Sequence, residues 1–150
     1  MINTHENALI SIRPPHVVNI FSGQKTVELR RRAVRLTPGT RLWIYATRPR
    51  AAISGFATVK SIDFGSPIEI WKRYHRCTSV SRELFFDYFC GAELAFAIKL
   101  LDATALEQPI ELEIVRAEVD EFHPPQHFAR LDKGNPVLEV LESNFAQQAL

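Results

Sequence analysis

Apolar positions recur along almost the whole chain, switching between a period of two and a helical period, and the switches fall at glycine and proline. Residues 8–13 alternate as a first strand. Pro14-Pro15 then open a helix to about Ser22, striped by Val17, Val18, Ile20 and Phe21, because proline is tolerated in a first helical turn. Gly23 suits a helix end, and the chain resumes as a short alternating strand with Val27 and Leu29 on one face and Thr26, Glu28 and Arg30 on the other. After the Thr37-Pro38-Gly39 turn, residues 41–46 form a strand rich in β-formers. Arg48-Pro49-Arg50 turns the chain into a long strand over residues 51–62, where Gly55 marks a bulge or a close backbone approach.

The second half begins with two capped helices. Ser66-Pro67 starts one that ends near Tyr74 and carries Glu69 in its first turn; Ser81 caps another over residues 82–90, stopped by Gly91. Phe85, Phe86, Tyr88 and Phe89 crowd the latter. An aromatic run can stack on bases, but at this spacing it reads as core. Residues 93–101 and 110–119 alternate as two further strands about a turn at Glu107-Gln108-Pro109, and Glu111 and Glu113 face solvent. A helix over residues 137–150 closes the chain after the break at Gly134 and Pro136.

Composition adds three bounds. With 150 residues and 46% hydrophobic content, the chain can bury one core and reads as a single domain over residues 1–150. No repeat or low-complexity tract divides it, and no apolar run reaches the roughly 20 residues that span a membrane. Residues 1–7 lack the basic and apolar segments of a signal peptide, and Cys77 and Cys90 read as two buried thiols in a reducing compartment, so a cytoplasmic protein is expected.

Charge changes the picture more. The overall charge is +1, yet residues 1–60 hold ten Lys and Arg against two acids, a net of +8, and residues 61–150 hold eight against fifteen, a net of −7. The basic half points to an anionic partner, the acidic half to a protein partner; mutual neutralisation on folding competes with both.

The chemistry concentrates at Gly23-Gln24-Lys25-Thr26-Val27-Glu28-Leu29-Arg30 and the arginines after it. Side chains two residues apart on one strand face stand roughly 7 Å apart at the backbone, so Glu28 and Arg30 can meet and orient each other. A plain surface ion pair fits the same spacing. These residues resemble the G-x-K-x-x-E-x-R signature of the ASCH domain, a branch of the PUA-like superfamily. The likeness extends to Ser11-Ile12-Arg13-Pro14-Pro15, Trp43-Ile44-Tyr45-Ala46-Thr47 and Ile53-Ser54-Gly55-Phe56, about the first two thirds of the chain, with the signature region at residues 8–62.

The resemblance implies an α+β fold: a small mixed PUA-like β-barrel flanked by short helices, with a proline-rich segment from residue 122 packing on it ahead of a C-terminal helix. It also implies a cleft beside the signature that takes RNA or a modified nucleoside. Some members of the family resemble weak ribonucleases or hydrolases of acetylated cytidine.

The expected ligand is therefore RNA or a nucleotide-like molecule, bound by Arg13, Lys25, Glu28, Arg30, Arg32, Arg48 and Arg50. Arg30 offers a two-pronged fork to phosphate, Glu28 accepts from an exocyclic amine, and Tyr45 or Trp43 offers a stacking face. A hydrolase using the same cleft is the alternative, with Lys25 and Glu28 as its catalytic groups. Glu28 stands where the family's amidohydrolases carry their threonine, which argues against threonine-based hydrolysis. His16, near a helix start, reads as a partly exposed helix residue. His123 and His127 are four apart, but Pro124-Pro125 bar a regular helix and no third ligand accompanies them, so neither metal nor cofactor is expected.

Overall fold

The computed structural model describes residues 5–148. Six strands form one sheet in the order β2-β5-β4-β3-β1-β6: β1 (Asn7–Ile12), β2 (Val27–Arg30), β3 (Arg41–Ala46), β4 (Ala52–Gly65), β5 (Ala95–Glu111) and β6 (Phe128–Arg130). Only β1 and β3 run parallel; β1–β6, β2–β5, β3–β4 and β4–β5 are antiparallel. β2 and β6 are the two edges, so the sheet is a curled half-barrel of mixed type. Five helices surround it: α1 (Pro14–Phe21), α2 (Pro67–Tyr74), α3 (Arg82–Tyr88), α4 (Leu112–Glu118) and α5 (Pro136–Gln148). The expected C-terminal helix therefore begins at Pro136, and residues 149 and 150 of that expectation lie outside the described residues.

Three apolar clusters hold these layers. The first fills the concave side, where Ala8, Ile10, Leu42, Ile44, Ala57 and Ile98 meet Val17 and Ile20 of α1. The second lies outside the curl and joins Leu9, Trp43 and Tyr45 to Leu112 and Val115 of α4 and to Val137, Leu138 and Leu141 of α5. The third seats Ile70 of α2 and Phe85 of α3 against Val27, Leu29, Ala95 and Ala97. The alternation read in β2 sorts accordingly, with Val27 and Leu29 facing α2 and α3 and Glu28 and Arg30 facing the concave side.

Local signals explain several elements. Ser66 caps α2 by accepting from the Glu69 backbone N–H, while the Glu69 carboxylate accepts from the Ser66 N–H, a reciprocal capping box. Gly55 sits at a register shift between β4 and β5. A Cβ there would lie 2.3 Å from the Thr104 carbonyl oxygen and 2.6 Å from the Phe21 ring. Backbone cannot swing aside as a side chain does, so Gly55→Ala is expected to lower stability by about 1–3 kcal/mol, read as a shift of the urea midpoint. An unshifted midpoint would mean that β4 and β5 are not in this register.

Three expectations are corrected. Pro109 does not turn the chain: β5 runs through it, from Ala95 to Glu111. It is tolerated because β2 pairs only with residues 96–99, leaving one side of β5 unpaired at Pro109. Residues 112–118 then form helix α4 rather than strand, with Leu112 and Val115 buried three apart on one face and Ile114 exposed. Cys90 is also exposed rather than buried. Among the described residues no helix is long and apolar enough to cross a membrane.

Candidate functional site

The concave face of the half-barrel is core at Ile98 and open at the next outward position. Glu28 pairs across strands with Ile98, and Arg30 with Phe96, so the signature strand carries its charged face from the packed interior out to the rim. A cleft of about 640 Å³ opens there, lined by Ser11, Arg13, His16, Lys25, Glu28, Arg30, Thr47, Asp87, Tyr88 and Gln126 together with apolar residues of α3.

Its floor is a run of three charges. Lys25 follows the Gly23 turn and is only 2% exposed. Its Nζ donates to the Thr78 carbonyl at 2.8 Å and stands 3.4 Å from Glu28 Oε1. Glu28 is 5% exposed, and its Oε2 accepts from Arg30 Nη2 at 2.8 Å. Arg30 Nη2 also donates to the Ser11 carbonyl at 2.8 Å, and Nη1 to His127 Nδ1 at 3.2 Å. One guanidinium thus ties the end of edge strand β2 to β1 and to the segment entering the opposite edge, β6. The signature residues close the half-barrel where its backbone ladder does not.

Burial and charge oppose each other here. Burial pushes the Glu28 carboxyl up, but Lys25 and Arg30 outweigh it and hold it below the usual carboxylate range. Burial pulls the Lys25 amine down, more than Glu28 raises it. The two histidines beside the cluster are lowered as well, His16 by burial and then Lys25, His127 by burial and then Arg30. Both are therefore neutral at pH 7. Because an arginine can only donate, His127 Nδ1 is the acceptor and its Nε2 carries the proton. His16 Nδ1 is buried without a hydrogen-bond partner, unusual for a buried polar atom, whereas the Ala33 backbone also holds the His127 ring.

The residues expected from sequence divide. Arg13, Lys25, Glu28 and Arg30 line this cleft, and Arg32 lines a groove that adjoins it. Tyr45 does not: it is buried in the outer cluster with Trp43, because odd positions of β3 face α4 and α5, so it offers no stacking face. Arg48 and Arg50 stand on the turn after β3, and Arg50 pairs with Glu111 at 2.9 Å instead of facing the cleft. Arg48 is exposed and lines neither the cleft nor the groove. Of the aromatic run on α3, Phe85 and Phe89 are core, but Tyr88 is 44% exposed and walls both cavities. His127, Gln126 and Ser11 were not legible as site residues, since proximity to Arg30 comes only from the pairing of β6 with β1. Among the described residues no group of three His, Cys, Asp or Glu side chains could hold a metal.

Comparison with known proteins gives this geometry a context. The family described as a domain of unknown function, DUF365, matches residues 12–121. A Zymomonas mobilis protein named ASCH domain-containing ribonuclease is 39% identical over 132 residues, covering 88% of each chain. The crystal structure of ASCH from Zymomonas mobilis superposes with a TM-score of 0.85 at 38% identity, over 91% of this chain and 94% of that one. The human THYN1 protein, solved in complex with 5-methylcytosine-containing DNA, is 8% identical at a TM-score of 0.56, covers 97% of this chain and 98% of its own, and shares the fold.

Proposed function

Since the chain belongs to the ASCH family of the PUA-like superfamily, we propose that it binds single-stranded RNA in the cleft above Lys25, Glu28 and Arg30 and cleaves it there. The observation that carries this reading is the meeting, at one cleft, of a buried three-charge floor, the His16 ring, neutral at pH 7, and the open Arg13, in a chain so similar to a protein named as a ribonuclease. Single strands suit a cleft of this size because their bases are free to splay out of a stack.

The roles differ from those expected of the signature. Lys25 and Glu28 are too buried and too fully engaged to hold ligand themselves; they position Arg30, whose guanidinium they fix at the rim. Arg13, exposed on the cleft wall, meets phosphate. Tyr88 offers the stacking face. His16 is the proton acceptor. It takes the proton of a ribose 2′-hydroxyl, whose oxygen attacks the adjacent phosphorus. The bond from phosphorus to the 5′ oxygen breaks, that oxygen takes a proton from water, the hydroxide left is neutralised by the His16 imidazolium, and the strand is left with a 2′,3′-cyclic phosphate and a 5′-hydroxyl.

The test is incubation of the purified protein with a single-stranded RNA and the DNA of the same sequence, followed by mass spectrometry. The RNA is expected to yield cyclic-phosphate fragments and the DNA, which lacks the nucleophile, to survive. Intact RNA retained by the protein would leave a binding domain without turnover; intact and unretained RNA would overturn the reading.

A further inference from the structure

A second groove, of about 710 Å³, shares Arg30, Tyr88 and Gln126 with the cleft and lies on the far side of them. Two features give it a chemistry of its own. Arg31 and Arg32 border it with Arg30, against the single carboxylate of Glu93. And the strand pairing builds a row that starts in its lining and runs out past it: Arg30 of β2 lies opposite Phe96 of β5, both lining the groove, and Phe96 lies opposite Phe64 of β4 just beyond. Directly opposed residues point to the same side, and the two phenyl rings stand 6.1 Å apart with an interplanar angle of 32°. Phe64 is 61% exposed. A large open ring that extends a half-buried one beside arginines is unusual on a protein surface that has no partner.

We infer that this groove is a second nucleotide subsite, in which a base stacks on the Phe96–Phe64 row while Arg31 and Arg32 hold the phosphate linking it to the nucleotide in the cleft. The occupant is single-stranded RNA because the groove pairs an aromatic platform with cationic side chains, the combination that tracks a flexible polyanion whose bases are unstacked. A peptide would leave the arginines without a counterpart. Tyr88, common to both cavities, stands between the two bases, so the strand passes over the same Arg30 that anchors the floor. The inference rests on the RNA reading of the cleft and adds to it a length requirement: one nucleotide fills the cleft, and a longer strand gains the groove.

Binding of a 2′-fluoro RNA hexamer, which lacks the attacking hydroxyl, and of a nucleoside monophosphate is measured by anisotropy and calorimetry on wild type, Phe64→Ser, Phe64→Ser with Phe96→Ser, and Arg31→Gln with Arg32→Gln. Phe64 is largely exposed, so its single replacement keeps the fold. The hexamer is expected to bind wild type more tightly than the mononucleotide. The phenylalanine variants are expected to lose roughly tenfold or more of the hexamer affinity and to keep mononucleotide affinity. The arginine pair is expected to lower the slope of log affinity against log salt by about 0.7 for each phosphate contact removed. Unchanged hexamer affinity in all variants of a protein that still cleaves RNA would overturn the subsite and leave the cleft reading intact. So would a wild-type dimer that the phenylalanine variants dissociate without altering RNA affinity, since the row would then belong to a second copy. A wild type that neither binds nor cleaves RNA would overturn both.

Discussion

Glu28→Ala is expected to destabilise the protein by about 3–5 kcal/mol, the usual result of removing one member of a buried ionic cluster. The carboxylate is the only anion between two cations, Lys25 at 3.4 Å and Arg30 at 2.8 Å. Without it Lys25, 2% exposed, keeps a single carbonyl partner and faces Arg30 across a cavity. Arg30 also loses the group that aims it at Ser11 and His127, so the closure between the two sheet edges loosens with it.

The companion variant separates burial of a charge from loss of packing. Lys25→Met with Glu28→Gln removes both of the most buried charges and is expected to cost less than Glu28→Ala alone, because burial already works against the Lys25 ammonium. The cluster also has an acid signature. Glu28 is held below its ordinary 4.5 in the folded state. Its contribution is therefore complete above that pH and is lost as pH falls through the lower, folded value. Guanidinium titrations at pH 7 and pH 3.5 check both points. A Glu28→Ala midpoint equal to wild type at pH 7 would mean that the cluster is solvated and that Arg30 needs no support.

How much of this was readable beforehand depends on whether a local rule decides the feature. The two faces of the signature strand, the Ser66 cap, the bulge at Gly55 and the strand at Arg41–Ala46 each follow from residues within a few positions of one another, and the structure keeps them. The closing of the strands into a barrel came through the likeness of the signature rather than through periodicity.

What failed was whatever required the curl. Alternation along β3 cannot say which face lies inside, so Tyr45 was placed at the cleft and sits in the outer cluster. Pro109 reads as a turn unless it is known that β2 stops short and leaves that flank of β5 unpaired. Basic residues at 48 and 50 look like a rim in sequence, yet the turn that carries them lies beside Glu111. His127 reaches Arg30 across 97 positions, a contact that only the pairing of β6 with β1 creates. Tyr88 was set aside with its aromatic neighbours because helical spacing marks a stripe without marking where the stripe ends.

Replacing His16 with alanine is expected to lower RNA cleavage by about 10²–10⁴-fold, the usual contribution of a positioned proton-transfer group, while affinity for the non-cleavable hexamer stays close to wild type. The expectation follows from what else the cleft holds. Glu28 is ionised but has both oxygens occupied, and Lys25 is buried and held by a carbonyl and by Glu28. His127 lines the adjoining groove and has its Nδ1 lone pair committed to Arg30. His16 alone among the titratable residues lining the cleft combines a neutral ring at pH 7 with an unpartnered nitrogen and a place on its wall.

The pH dependence carries the sign of that environment. His16 is lowered beneath its ordinary 6.5, so the base form persists below neutrality, and kcat/KM is expected to show an acid limb whose midpoint lies below pH 6.5. The same shift makes the folded state bind fewer protons than the unfolded chain there, so stability falls as pH drops below 6.5. Cleavage must therefore be measured where thermal melts show the protein folded. His16→Gln, which retains a polar side chain but cannot take up a proton in this range, should lose the acid limb along with the rate. A His16→Ala protein that cleaves at the wild-type rate with the same acid limb would remove His16 from the chemistry.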